Sequence, residues 1–170
     1  MRKAGTVVLG VAGSILLLAI VAWFVHLHQH RMAHAHAFSA GNAAAPERVL
    51  IATQGSAFKD ALVAAIIDHL KSREAYVEVI DVSSLPGIEP RDWKAIVIIH
   101  TWEFGKPQRD AQAFVQRLHD DHKLIVVTTS GNGREKLNGV DTISAASVAS
   151  DVQVRAAQIS TRLDALLEQR

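Results

Sequence analysis

An uninterrupted apolar run near the amino terminus limits most strongly what this chain can form. No charged side chain occurs in the 22 residues between Ala4 and Val25, where Leu, Ile, Val and Ala dominate. A helix of that length would rise about 33 Å, roughly the thickness of a hydrocarbon core. A buried helix of a globular domain would be shorter and would carry a polar stripe, which this run lacks. The run therefore predicts a transmembrane helix over residues 1–25.

A cleaved secretory signal is the competing interpretation of the same run, with Arg2 and Lys3 as its basic start. The run is longer than the roughly 7–15 apolar residues of such a signal. The small-residue positions at 35–40 also lie well past its end, which favours a retained anchor. Because Arg2 and Lys3 outnumber the single nearby Arg31, the positive-inside rule places the amino terminus in the cytoplasm and the domain outside. We therefore expect a single-pass membrane protein whose first partner is the lipid bilayer.

A histidine-rich stretch follows the apolar run, with five histidines between His26 and His36. If the helix continues, His26, His30 and His34 fall at i, i+4 and i+8, a spacing that can hold Zn²⁺, Ni²⁺ or Cu²⁺. No carboxylate or cysteine is nearby to complete a tight site. A polar collar that gains charge as the pH falls through about 6.5 is therefore favoured over a metal site. Residues 26–46 are predicted as this collar followed by a linker of small residues, Phe38 to Pro46.

The remainder, residues 47–170, alternates between strand and helix patterns. Strands are predicted at 48–52, 76–81, 95–100, 123–128 and 140–144, and helices at 57–72, 110–121 and 149–167. This alternation predicts an α/β domain with a compact, five-stranded, parallel, doubly wound sheet of order 2-1-3-4-5. Only eleven residues separate Thr128 from Val140, too few for a crossover helix after the fourth strand. With 15 Lys/Arg and 17 Asp/Glu from Glu47 onward, this part lacks the charge of a nucleic-acid-binding domain.

Three polar loops follow the first, third and fourth predicted strands, at the edge where such sheets bind ligands. They are Thr53-Gln54-Gly55-Ser56, Thr101-Trp102 and Thr129-Ser130-Gly131-Asn132. The first opens a helix, whose free N–H groups suit a phosphate, although Ser56 also suits a simple helix cap. Trp102 can stack on a planar ring or merely cover the sheet edge. In the third loop, the glycines and hydroxyls allow a ligand to approach the backbone, or they form a plain turn.

Together these loops resemble those of the flavodoxin-like family. The resemblance implies that FMN is the cofactor, with residues 53–56 at its phosphate, Trp102 on the flavin ring, and residues 129–132 at the ring edge. It also implies electron transfer or quinone and porphyrinogen oxidation. Ala57 replaces the last threonine of the family's phosphate loop, however. No tyrosine follows Gly133 to stack on the second face of the flavin.

Two functions stay open at this point. One is an FMN-dependent electron carrier or oxidoreductase that serves a membrane redox partner or a quinone. The other is a cofactor-free scaffold or interaction module in a membrane complex. The sequence contains no cysteine, no Gly-x-Ser-x-Gly elbow, no dinucleotide fingerprint and no phosphate-binding Walker loop, so other common enzyme classes are not indicated.

Overall fold

The computed structural model describes residues 13–23, 25, 32–118 and 122–169. The chain divides into two units, Met1–Arg31 and Met32–Arg170. In the first unit, residues 13–23 are helical and are called α1. Among the described residues, the strands and the other helices belong to the second unit.

The predicted transmembrane helix is not supported by the described helices. None of them combines enough length with enough apolar character to cross a membrane. This finding contradicts the predicted span over residues 1–25, and the single-pass localisation that was derived from it is wrong with it.

The second unit is built on one sheet of eight strands. Its strands are β1 (Ala33–His34), β2 (Phe38–Ala40), β3 (Arg48–Gly55), β4 (Tyr76–Asp81), β5 (Ala95–Glu103), β6 (Lys106–Pro107), β7 (Leu124–Thr129) and β8 (Thr142–Ala145). The helices are α2 (Ala57–Leu70), α3 (Arg109–Arg117) and α4 (Val152–Glu168). The prediction of a purely parallel sheet of five strands is wrong, because three short antiparallel strands extend it.

The centre of the sheet runs in the order β4-β3-β5-β7-β8, and every neighbouring pair in it is parallel. Counted along the chain, these strands have the order 2-1-3-4-5 that characterises flavodoxin-like sheets. The flavodoxin-like resemblance is confirmed at the level of the fold. Residues 130–141, which connect β7 to β8, contain no helix.

The three added strands have local causes. β1 and β2 come from residues 33–40, which the sequence pattern assigns to the collar and linker, and they pair with β3 and β4 respectively. β6 returns along the end of β5 after a two-residue turn. Phe104 and Gly105 both have positive φ in this turn, at 50° and 74°. That conformation is typical of the tight hairpin turns that match strand twist.

The core lies on both faces of the sheet because successive strand residues point to opposite sides. Val49 and Ile51 of β3 face α2 and α4, whereas Leu50 and Ala52 face α3. On the α3 side, the helix covers only part of the sheet. Leu85, in the 3-10 helix Val82–Gly87, and Leu137, in the connection from β7 to β8, complete that layer.

Candidate functional site

The carboxyl ends of β3, β5 and β7 lie side by side, because these strands are parallel neighbours. Thr53 is opposite Ile99, and Thr101 is opposite Thr129. The structure therefore brings the three loops of the sequence prediction to one edge of the sheet. We call this region the carboxyl edge.

A buried lysine is at the centre of the carboxyl edge. Lys59, in the first turn of α2, has a fully buried side chain. Its Nζ donates a hydrogen bond of 2.6 Å to Thr101 Oγ1, which lies 3.0 Å from Thr129 Oγ1. Thr129 Oγ1 in turn donates to the His100 carbonyl at 3.2 Å. Because each hydroxyl has one proton to give, the donors run in one direction, from Lys59 through Thr101 and Thr129 to His100.

Burial changes the acid–base behaviour of Lys59. Removal from water lowers the pKa of its amine from 10.5 to about 8, and the carboxylates of Glu103 and Asp60 offset only part of this effect. The amine therefore still carries its charge at neutral pH, at a cost to the folded state. Lys59 is not among the residues predicted from the sequence. Its spacing from Leu62 and Ile66, at i+3 and i+7, was the available indication that it faces inward.

His100 is fully buried beside this network. Its Nε2 lies 2.8 Å from Thr128 Oγ1, and its Nδ1 lies 3.3 Å from the Thr101 carbonyl. Burial lowers the pKa of His100 to about 4, with a smaller contribution from the charge of Lys59. The ring is therefore neutral at pH 7. Since a carbonyl only accepts, Nδ1 carries the proton and Nε2 accepts from Thr128.

Gln54 connects two strands at the same edge. Its Oε1 accepts from the Thr101 backbone N–H at 2.7 Å, and its Nε2 donates to Glu103 Oε1 at 2.8 Å. The side chain is buried and both ends of its amide are engaged. Gln54 therefore acts as a bridge from β3 to the end of β5.

Residues 32–40 cross the carboxyl edge, and we call them the strap. Its first strand, β1, pairs with β3 at Gln54 and Gly55. A Cβ on Gly55 would lie 2.6 Å from the His34 carbonyl oxygen, so only glycine permits this approach. Asp81, at the end of β4, holds the strap through His34 Nδ1 at 3.1 Å and the Ala35 N–H at 2.7 Å.

Hydrogen bonds keep Asp81 ionised. Burial alone would raise the pKa of Asp81, but bonds from Ser83, the Ala35 N–H and His34 together hold it below its usual value. Asp81 was not identified from the sequence, because its partners on the strap are about 46 positions away along the chain. Its carboxylate adds two hydrogen bonds to the backbone pairing of β1 and β2 with the sheet.

The four residues expected at a phosphate, Thr53 to Ser56, are engaged within the chain. β3 continues straight through Gly55 instead of turning there. Thr53 Oγ1 donates to the Gln54 carbonyl, and Ser56 Oγ caps α2 by accepting from the Lys59 N–H at 3.2 Å. Ser56 is therefore the N-cap of α2. With β1 paired to Gly55, these residues do not fit the phosphate end of FMN.

The other predicted contacts are placed differently. Trp102 is half-buried in the β5–β6 hairpin, opposite Pro107. Ser130 and Asn132 bond to each other at 2.8 Å, and the Gly133 N–H donates to Ser130 Oγ. Gly131 has open space around it. The ring-edge and stacking roles of these residues remain predictions.

Of the histidines considered as metal ligands, His26 and His30 lie outside the described residues. His34 is bound to Asp81 and exposed. In the described part of the chain, no group of three or more potential ligands is close enough to hold a metal ion.

Comparison with known proteins gives structural neighbours only. No family model matches the sequence, and no curated protein matches it. The chain is similar to the crystal structure of oxidised flavodoxin 2 from Bacillus cereus, at 12% identity and a TM-score of 0.49 over 69% of this chain and 98% of that one. It is similar to an oxidoreductase from Corynebacterium diphtheriae, at 12% identity and a TM-score of 0.48 over 74% and 100%. It is also similar to a flavodoxin from Streptococcus pneumoniae TIGR4, at 13% identity and a TM-score of 0.44 over 69% and 97%.

Proposed function

We propose that this chain is a flavodoxin-like binding module that works without FMN. The observation that carries the proposal is the strap, which pairs with Gln54 and Gly55 where a flavodoxin-like phosphate loop is expected. A bound phosphate needs free backbone N–H groups at a helix start. Here β1 takes up the edge of β3 at those residues, and Ser56 caps the helix.

The hydrogen bonds of the carboxyl edge support this proposal. Lys59, Thr101 and Thr129 bond to one another and end on a backbone carbonyl. Gln54 uses both ends of its amide within the chain. A site prepared for a polar ligand would hold such groups ready for the ligand, whereas here they are bonded to other groups of the chain.

FMN-dependent electron transfer is the second candidate. The observation in its favour is that all three loops meet at one edge, with Trp102 partly exposed beside them. The FMN-dependent function requires the strap to move away from Gly55 before the phosphate of FMN can enter. The proposal without FMN requires no such rearrangement.

A flavin titration separates the two candidates. FMN fluorescence is followed while the purified full chain is added, first with the parent protein and then with Trp102→Ala. We expect no saturable quenching in the micromolar range, about the affinity of a modest specific site. Phe104→Ala, in the same hairpin, serves as the matched control.

Saturable quenching by the parent chain that weakens in Trp102→Ala but not in Phe104→Ala would overturn the proposal in favour of the FMN function. A flat titration for all three proteins supports it.

A further inference from the structure

A groove runs between α2 and the strap, on the face of the sheet away from α3. Its volume is about 480 Å³, within the range of specific binding pockets. One wall is the strap, where the Phe38 side chain is 49% exposed. Val79 of β4 lies between the two walls. The groove is distinct from the hydrogen-bonded network around Lys59.

The helical wall of the groove is a single stripe of α2. It consists of Asp60, Val63, Ala64, Ile67 and Lys71, the last at the end of the helix. These residues follow the spacing i, i+3, i+4, i+7 and i+11, which places them along one side of a helix. The stripe is about 16 Å long. Its middle is apolar, with one charged residue at each end.

The two ends of the groove have opposite charges. Asp60, in the first turn of α2, is at the end near the carboxyl edge, and Lys71 is at the far end. Both are exposed. The Lys71 side chain makes a solvent-exposed ion pair with Asp68 at 3.0 Å, a weak contact that a partner can replace.

We infer that this groove binds a short amphipathic helix of a partner protein, antiparallel to α2. Acidic residues at the start of that helix would meet Lys71, and basic residues at its end would meet Asp60. This charge arrangement is also the one that the dipole of the partner helix favours. Three or four apolar side chains at helical spacing would fill the middle, as in other helix-in-groove complexes.

The shape and charge of the groove favour a helix over a small amphiphilic molecule. A lipid-like ligand has one polar end, whereas this groove has a charged residue at both ends. The inference extends the proposed function by giving the binding module a partner surface. It is tested separately from the flavin titration, since the groove does not include Trp102 or the Lys59 network.

Two side-chain-bridged helical peptides of about twelve residues test the inference. They share one composition, with leucines at i, i+3 and i+7. One has acidic residues at its start and basic residues at its end, and the other has the reverse. Fluorescence anisotropy measures the binding of each labelled peptide to the full chain. We expect saturable binding of the first and about fivefold weaker binding of the second, the size that two exposed ion pairs allow.

Variants of the chain locate the binding site. Ala64→Arg fills the exposed middle of the groove and is expected to abolish binding, with circular dichroism checking the fold. Val154→Arg, at an exposed apolar residue of α4, is the matched control and should bind as the parent does. Asp60→Lys combined with Lys71→Glu should reverse the preference between the peptides.

Equal binding of both peptides to the parent and to the charge-swapped chain would overturn the inference. Undiminished binding in Ala64→Arg would do the same. If neither peptide binds but a fatty acid such as dodecanoate does, and Ala64→Arg abolishes that, the groove takes a small amphiphile and the helix is excluded.

Discussion

The carboxyl edge and the α2 groove differ in what they leave available to a ligand. At the carboxyl edge, Lys59, Gln54 and His100 are buried and their polar atoms are paired within the chain. Along the groove, Ala64 and Phe38 remain exposed and the charges at its ends face solvent. The edge at which flavodoxin-like sheets usually bind ligands is thus the more closed of the two regions.

This difference in exposure cannot be inferred from strand order alone. The strap borders both regions, since β1 covers Gly55 and Phe38 forms a wall of the groove. One segment therefore covers part of the carboxyl edge and also lines the groove. Variants of the buried residues His100 and Lys59 test whether the carboxyl edge is closed. Variants that loosen the strap test its contact with both regions.

The largest expected effect concerns the buried imidazole of the carboxyl edge. The folded pKa of His100 is about 4, below its value of 6.5 in the unfolded chain. The unfolded state therefore binds more protons between these values, and stability falls as the pH falls from 6.5 to 4. The loss attributable to His100 is about 3 kcal/mol at pH 4.

Urea unfolding of the parent and of His100→Gln at pH 7, 5.5 and 4 measures this loss. The variant starts about 1 kcal/mol less stable because packing and a hydrogen bond change. It should then lose about 3 kcal/mol less than the parent on acidification. Parallel losses in both proteins would mean that His100 is not buried as described.

The next largest effect on stability is expected at Lys59. It changes with pH on the alkaline side, whereas that of His100 changes on the acidic side. The folded pKa of Lys59, about 8, lies below its usual 10.5, so its charge destabilises the folded state below pH 8 and this cost disappears as the pH rises to 10.5. Lys59→Met keeps most of the side-chain volume and removes the charge. We expect it to be about 2 kcal/mol more stable than the parent at pH 7, after allowing for the lost bond to Thr101.

Unfolding curves at pH 7 and pH 10 test this expectation, because the advantage of Lys59→Met should shrink at the higher pH. Lys71→Met, at an exposed lysine directly after α2, is the control and should stay within about 0.5 kcal/mol of the parent at pH 7. A destabilised Lys59→Met at pH 7 would show that the lysine supports the carboxyl edge instead of straining it.

The sequence predicts the central part of this fold well because its pattern is local. β5 and β7 are continuous apolar runs, as strands buried on both faces must be, and α2 begins where Ser56 can cap it. The three loops meet because carboxyl ends of parallel strands share an edge. These inferences need only neighbouring residues and the general rules of parallel sheets.

What the sequence could not predict depends on distant partners. β1 and β2 are two and three residues long, too short to show an alternating pattern, and they become strands only by pairing with β3 and β4. The bridge from Gln54 to Glu103 likewise joins residues 49 positions apart. The span over residues 1–25 was predicted from the length and composition of an apolar run, and the described helices contradict it.

Gly55 tests the strap directly and is expected to have a smaller effect than Lys59. A Cβ at this position would collide with the His34 carbonyl. Gly55→Ala should therefore destabilise the chain by about 1–2 kcal/mol and separate β1 from β3. Gly131→Ala, where the added carbon meets nothing, should stay within about 0.5 kcal/mol of the parent. If the two variants are equally stable, the strap does not contact Gly55 closely.

The smallest effect is expected at the attachment of the strap to β4. Asp81→Asn keeps one acceptor but presents an amide N–H₂ group where the carboxylate accepts from Ala35 or Ser83. We expect a loss of about 1 kcal/mol and faster hydrogen exchange at the Ala35 amide, with the exchange of β5 unchanged. Asp68→Asn, at an exposed carboxylate of α2, should change neither quantity.

Because Phe38 forms a groove wall, peptide binding should also weaken in Asp81→Asn. Weaker peptide binding without faster exchange at Ala35 would separate the groove from the strap and contradict the link between the two regions.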